Sequence, residues 1–230
     1  LQGNQGQGLA TYRELIRNIS TKTRPEGGAL NLILDRWVSS VQQQVEAGAD
    51  ETSLLREQLA PLDEMVHGFD FTRMLRRYRM AYLEQDEEEL AHVVKWLRGE
   101  YRTKTEAKSE LGNGTIITDD DWYDYVKLLA RFLVGAGYKG MLVMIDELVN
   151  LYKIPNSITR QNNYEKILTM YNDTLQGKAQ YLGIIMGGTP QSIEDRRRGV
   201  FSYEALRSRL TQGRFAREDM TDMLAPVIHL

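Results

Sequence analysis

The chain changes its hydrophobic period at about residue 138. Residues 118 to 138, TDDDWYDYVKLLARFLVGAGY, place Trp122, Tyr125, Val126, Leu129, Phe132, Leu133 and Ala136 at steps of three and four. That is the spacing of one helical face, with Thr118 or Asp119 available as cap and Gly137 as stop. GMLVMIDELVNLY follows at once, and Met141 to Ile145 contains no polar residue. Such a run predicts a strand covered on both faces, as in a parallel sheet. A long amphipathic helix feeding a buried strand restricts the chain to layered α/β architectures.

The same two patterns divide the rest of the sequence. Helical spacing dominates the first 137 residues. One helix is marked by Leu9, Tyr12, Ile16 and Ile19, and a longer one runs from Leu30 to Val45 after Pro25-Glu26-Gly27-Gly28. Less regular helices are expected near 51–66 and 70–84, and another over 90–97 behind the acidic turn Asp86 to Glu89. LGNGTII, 111 to 117, reads as a loop. Beyond residue 139, a helix over 156–176 capped by Asn156 or Ser157 precedes a second buried run, Tyr181 to Met186, and Pro226 to Leu230 reads as a third. Strand, helix, strand, helix, strand predicts a parallel α/β sheet. The expected division is a mainly helical segment at 1–117 and an α/β half at 118–230.

Composition removes several function classes. Cysteine is absent, so disulfides, thiolate metal sites and Cys nucleophiles are excluded, which fits a reducing cytoplasmic setting. Net charge is −3, so no global basic field points to nucleic acid. No apolar run approaches the roughly 20 residues that cross a bilayer, and no membrane partner is expected. His67, His92 and His229 stand in no metal-ligand spacing.

Three stretches carry chemistry. Ligands of open parallel sheets sit beyond the carboxyl ends of the strands. There Asp146 could hold the water shell of Mg²⁺, and Glu147 could orient or deprotonate an attacking water. The plainer reading is a pair of acids that satisfies a helix dipole. In the second stretch, YLGIIM ends in Gly187-Gly188-Thr189-Pro190. If the two strands are neighbours, Thr189 would bring a hydroxyl to the Asp146-Glu147 edge; otherwise the sequence is ideal tight-turn material. The third stretch concentrates Arg196, Arg197, Arg198, Arg207, Arg209, Arg214 and Arg217 in an otherwise acidic chain. Arginine forks suit phosphate, in the same subunit or as a finger into a neighbour's site. A solvated face paired with Glu194, Asp195 and Glu204 is the bland reading, and DNA contact through Arg196, Arg197 and Arg198 is a third.

No GxxxxGK[ST] loop occurs, and GNQGQG at 3–8 lacks the lysine that reaches the phosphates. The expectation is that the phosphate loop, its strand and its helix lie upstream of residue 1. The fragment alone would then be inactive and bind no cofactor. The alternative is a scaffold that has lost nucleotide binding.

YRELIRNISTKTRPEGGAL, KWLRGEYRTKTEAKSELG, DDDWYDYVKLLARFLVGAGYKGMLVMIDELVNLYKI, NNYEKILTMYNDTLQG and GIIMGGTPQSIEDRRRGVFSYEALRSRL are long and distinctive. On these stretches the chain resembles the DUF2791 family of bacterial P-loop ATP-binding proteins, the BrxD-like members of BREX phage-defence systems, related to AAA+ and origin-recognition ATPases. The resemblance covers most of the chain. It implies an incomplete, AAA+-like P-loop NTPase sheet with a large, mostly helical N-terminal portion. It further implies that Asp146 and Glu147 match a Walker B pair and that Thr189 matches a sensor. By looser analogy, Arg207 or Arg209 takes the place of an arginine finger. ATP and Mg²⁺ would be the cofactors of the intact protein, and other defence-system proteins or further copies of the chain its partners. A protein-interaction or DNA-docking module, or an ATPase scaffold without hydrolysis, are the competing readings.

Overall fold

The computed structural model describes residues 7–146, 148–211 and 227. Among them the helices α1 (Gln7–Asn18), α2 (Leu30–Glu46), α3 (Glu51–Asp63), α4 (Gly68–Glu84), α5 (Glu87–Leu97), α6 (Lys104–Leu111) and α7 (Trp122–Gly135) precede the first strand, β1 (Met141–Ile145). Then come α8 (Val149–Tyr152), α9 (Ser157–Leu175), β2 (Leu182–Met186), α10 (Pro190–Glu194), a 3₁₀ turn (Val200–Ser202) and α11 (Glu204–Leu210). The described residues fall into two compact units. One holds those up to 143 together with 180–183, and the other holds 144–179 with those from 184 onward. No helix among the described residues is long and apolar enough to cross a membrane.

The helical unit forms where the 3.6-residue period predicts it. On α2, Leu30, Ile33, Leu34, Trp37, Val38 and Val41 are buried, and on α7 the stripe from Trp122 to Leu133 is buried. Phe132 meets Trp37 and Phe71 edge to face, at ring-centroid distances of 5.6 and 6.2 Å, the arrangement that ring quadrupoles favour. Helix starts are fixed by side-chain oxygens. Asp50 accepts the Ser53 N–H at 2.9 Å, and Asp86 accepts that of Glu89 at 3.0 Å. Neither Thr118 nor Asp119 caps α7. The Asp119 carboxylate instead accepts the Leu9 N–H at 3.0 Å, in the first turn of α1, so it serves a helix far away in sequence. Gly137 does end α7, with φ +87° and the Tyr138 N–H bonded to the Leu133 carbonyl at 2.9 Å.

Helix α6 has no counterpart in the apolar pattern, because only Ala107 and Leu111 are buried on it. Charge and capping hold it. The Thr103 hydroxyl accepts the Glu106 N–H, and Lys95 donates to Glu106 at 2.7 Å and to Glu110 at 3.0 Å.

The two strands pair directly and in parallel. The Met141 N–H reaches the Tyr181 carbonyl, and the Gly187 N–H reaches that of Ile145, both at 2.8 Å. Covering on both faces is not what the described residues show. Exposure alternates along each strand, and Leu142, Met144 and Ile185 are 60%, 74% and 52% exposed. An apolar run without polar breaks does not distinguish a covered face from a bare one. The third strand expected at 226–230 lies outside the described residues, apart from Val227, which belongs to no strand.

Candidate functional site

In the second unit, Leu148, Leu151, Ile154, Tyr164, Val200 and Leu206 form a small core. Asp146 lies one residue beyond the C-terminal end of β1 and is exposed. Gly187 ties down the chain on both sides of it. Its N–H donates to the Ile145 carbonyl at 2.8 Å, and its carbonyl accepts the Leu148 N–H at 2.9 Å. A Cβ on Gly187 would stand 3.0 Å from an Asp146 carboxylate oxygen. A Cβ on Gly188 would come within 3.1 Å of the Leu148 Cβ and 2.9 Å of the Ser192 hydroxyl. Close approach of backbone therefore requires the glycine pair, and the ends of the two strands do adjoin. Glu147 lies outside the described residues.

Thr189 is the N-cap of α10. Its hydroxyl accepts the Ser192 N–H at 3.2 Å, and the Ser192 hydroxyl donates back to the Thr189 carbonyl at 2.8 Å. A hydroxyl carries one proton and two lone pairs, so capping leaves Thr189 a donor for a further acceptor.

The arginine-rich stretch splits into different roles. Arg198 donates to the Ile154 carbonyl at 3.2 Å and lies over the Tyr152 ring at 5.4 Å. Its own carbonyl accepts the Tyr164 hydroxyl at 2.6 Å. Burial pushes the Tyr164 phenol up to about 12, so that donor stays protonated. The Asp195 carboxylate accepts the Arg197 and Arg198 N–H groups at 2.6 and 3.1 Å, and the Tyr152 hydroxyl at 3.2 Å. These bonds, the two backbone ones foremost, hold Asp195 below the usual carboxylate range. Arg198 is thus a fastener of the loop, whereas Arg196 and Arg197 are exposed. Arg207 pairs with Glu204 in its own helix, 2.6 Å apart, and Arg209 donates to the Ala205 carbonyl at 2.8 Å. Helix α11 packs against α9 and the 3₁₀ turn. Arg214 and Arg217 lie outside the described residues.

Arg160 and Tyr152 help organise this unit, and sequence reasoning did not single them out; Asp195, expected there as a partner of the arginine face, gathers backbone N–H groups and a phenol. Arg160 is buried and donates to the Ile154 carbonyl at 2.7 Å, the same oxygen that Arg198 reaches. The one sequence clue is Pro155. A proline disfavours helical backbone at the residue before it, so the helix stops before Ile154 and the Ile154 carbonyl is left for side-chain donors.

Among the described residues no group of three or more His, Cys, Asp or Glu could hold a metal ion. A dedicated cation cage is therefore not formed by them. A single exposed carboxylate at a strand end does suit Mg²⁺, which keeps most of its waters and is otherwise held by substrate phosphates.

The model of one protein family, BREX system ATP-binding protein BrxC/D, matches the chain over residues 1–230. No curated protein and no solved structure matches it.

Proposed function

The chain belongs to the BREX system ATP-binding protein BrxC/D family, and from that premise we propose that its second unit carries the Walker B edge of an AAA+-like ATP-binding core serving phage defence in the cytoplasm. The observation that supports this reading is the seat of Asp146 at the carboxyl end of β1, with Gly187, just past the end of the neighbouring parallel strand, so near that a Cβ on it would stand 3.0 Å from the Asp146 carboxylate. In this reading Asp146 holds the water shell of the Mg²⁺ that accompanies ATP. Glu147 orients and deprotonates the attacking water, and the spare Thr189 hydroxyl proton senses the terminal phosphate. Arg207 or Arg209 supplies positive charge to the site of a neighbouring subunit. Their local partners, Glu204 and the Ala205 carbonyl, are exposed and exchangeable. Hydrolysis would be coupled to conformational work on other defence proteins.

Turnover of ATP by the full-length protein tests the assignment. Glu147→Gln keeps the side-chain shape and removes the base, so kcat falls by about 100-fold or more while nucleotide binding persists. Undiminished turnover in that variant overturns the reading. The exposure of Arg196 and Arg197 favours a second reading, contact with DNA or an acidic partner through that loop.

A further inference from the structure

Arg13, Arg17, Arg98 and Arg102 line one cleft of about 410 Å³ in the helical unit, where α1, the turn at Gly28 and the segment after α5 meet. Four arginine side chains border it in a chain whose net charge is −3. Two of the four are oriented by neutral acceptors. Arg13 Nε donates to the Gly99 carbonyl at 2.7 Å, and Arg98 donates to the Asn31 side-chain oxygen at 3.3 Å. Such bonds fix a side chain without cancelling its charge. Arg17 pairs with Glu14 at 3.1 Å, but both are well exposed, at 74% and 58%, so the pair is weak. The Arg102 guanidinium is exposed and has no hydrogen bond or ion pair among the described residues. Glu100 also lines the cleft and leaves a clear positive excess.

Like charges held together repel, and an anion between them relieves that repulsion. Arginine forks match the oxygens of phosphate in pairs. The cleft walls carry Ile16 and Leu30 but no aromatic ring. A single-stranded nucleic acid or a nucleotide is normally gripped by stacking its bases on aromatic rings, and no ring lines this cleft. A duplex presents phosphates at regular intervals and keeps its bases inside, so charge alone suffices. We propose that this cleft binds the phosphodiester backbone of a nucleic-acid duplex, through phosphate contacts and without reading base sequence. The proposal is independent of the roles given to Asp146 and Glu147.

The test is fluorescence anisotropy of the full chain with a labelled DNA duplex between about 50 and 200 mM salt. Three or so phosphate contacts give a slope of log K against log salt of about −3, equal for duplexes of unrelated sequence. The double variant Arg17→Gln/Arg102→Gln alters two exposed side chains, and circular dichroism verifies its fold. It should bring the slope to about −1 and weaken binding at least tenfold at low salt. Arg196→Gln/Arg197→Gln tests the rival contact at the 195–198 loop, and a cleft-borne contact leaves its slope at about −3. Absence of binding at the lowest salt overturns the proposal, as does a slope that the first variant leaves in place. Loss of binding only in the second variant would move the contact to the 195–198 loop, and this too overturns it. Inorganic tripolyphosphate is the competing arm. Displacement of duplex at equal phosphate concentration would make the cleft a free-polyphosphate site and end the nucleic-acid assignment.

Discussion

In the helical unit, Trp37, Phe71 and Phe132 meet edge to face and the burial of large apolar side chains orders the helices. In the second unit, directional polar contacts join a small apolar core. Arg160 and Arg198 converge on the Ile154 carbonyl, Asp195 gathers two N–H groups and a phenol, and Gly187 clasps the chain through two backbone bonds. Non-directional burial tolerates much variation in detail, whereas hydrogen bonds to fixed carbonyls demand one geometry. A scaffold needs only the first. A strand end that presents a carboxylate to a ligand, as proposed for Asp146, is better served by the second.

The largest expected effect falls on the helical unit. Phe132→Ala empties a fully buried site between two aromatic partners, so stability falls by about 3–5 kcal/mol. All three tryptophans of the chain, Trp37, Trp96 and Trp122, belong to that unit, so the urea transition followed by tryptophan fluorescence reports it directly. A midpoint shift that corresponds to less than about 1 kcal/mol would show that the aromatic contacts are replaceable. In the other unit the corresponding change is Arg160→Met, which keeps most of the buried stem and deletes the donor to Ile154. The lost bond costs about 1–3 kcal/mol, and the low end is favoured because Arg198 still reaches the same oxygen. Amide hydrogen exchange in α8 and α9 should quicken accordingly. Unaltered protection there would show that the two arginines merely decorate a loop that backbone bonds already fix.

The same contrast explains what could be read from residues alone. The stripes on α2, α5 and α7 are periodic, and burial of Val93, Val94 and Leu97 follows from their spacing. So does the pairing of the acidic turn at Asp86 with the start of α5. Helix α6 escaped because its support comes from Lys95 on another helix, which no local period records. The exposure of Leu142 and Met144 escaped for a related reason, since five apolar residues in a row look alike whether one face is covered or two. At the candidate site, the βαβ pattern and two glycines allowed adjacent strand ends without deciding between them and a plain tight turn, and the backbone bonds of Gly187 settle the adjacency. The split among the arginines did not. Arg196 and Arg198 are the same residue type two positions apart, and only the carbonyl of Ile154 and the ring of Tyr152 make one of them a fastener.

The smallest effect comes from the charges that hold α6, and it sharpens the comparison because it isolates a polar device inside the helical unit. Hydrogen bonds from Lys95 hold Glu106 and Glu110 below their ordinary value of 4.5. The Arg102 N–H adds to this at Glu106 and the Tyr101 hydroxyl at Glu110. Lys95 is raised above its ordinary 10.5 by the same two carboxylates, Glu106 first. A carboxyl group whose folded value is depressed contributes stability that is complete above 4.5, and this is lost as pH falls through the lower folded value. The contribution of Lys95 is complete below 10.5 and is lost only as pH rises beyond it. The device is therefore at full strength across the neutral range and fails first on the acid side. All three side chains are about a third exposed, at 29% to 33%, so salt screens them and the effect is modest. The urea midpoint of the unaltered chain should drop between pH 5 and pH 3 by more than that of Lys95→Met, and the gap should narrow in high salt. Parallel acid limbs for the two proteins would mean that α6 is held by Leu111 and its Thr103 cap alone.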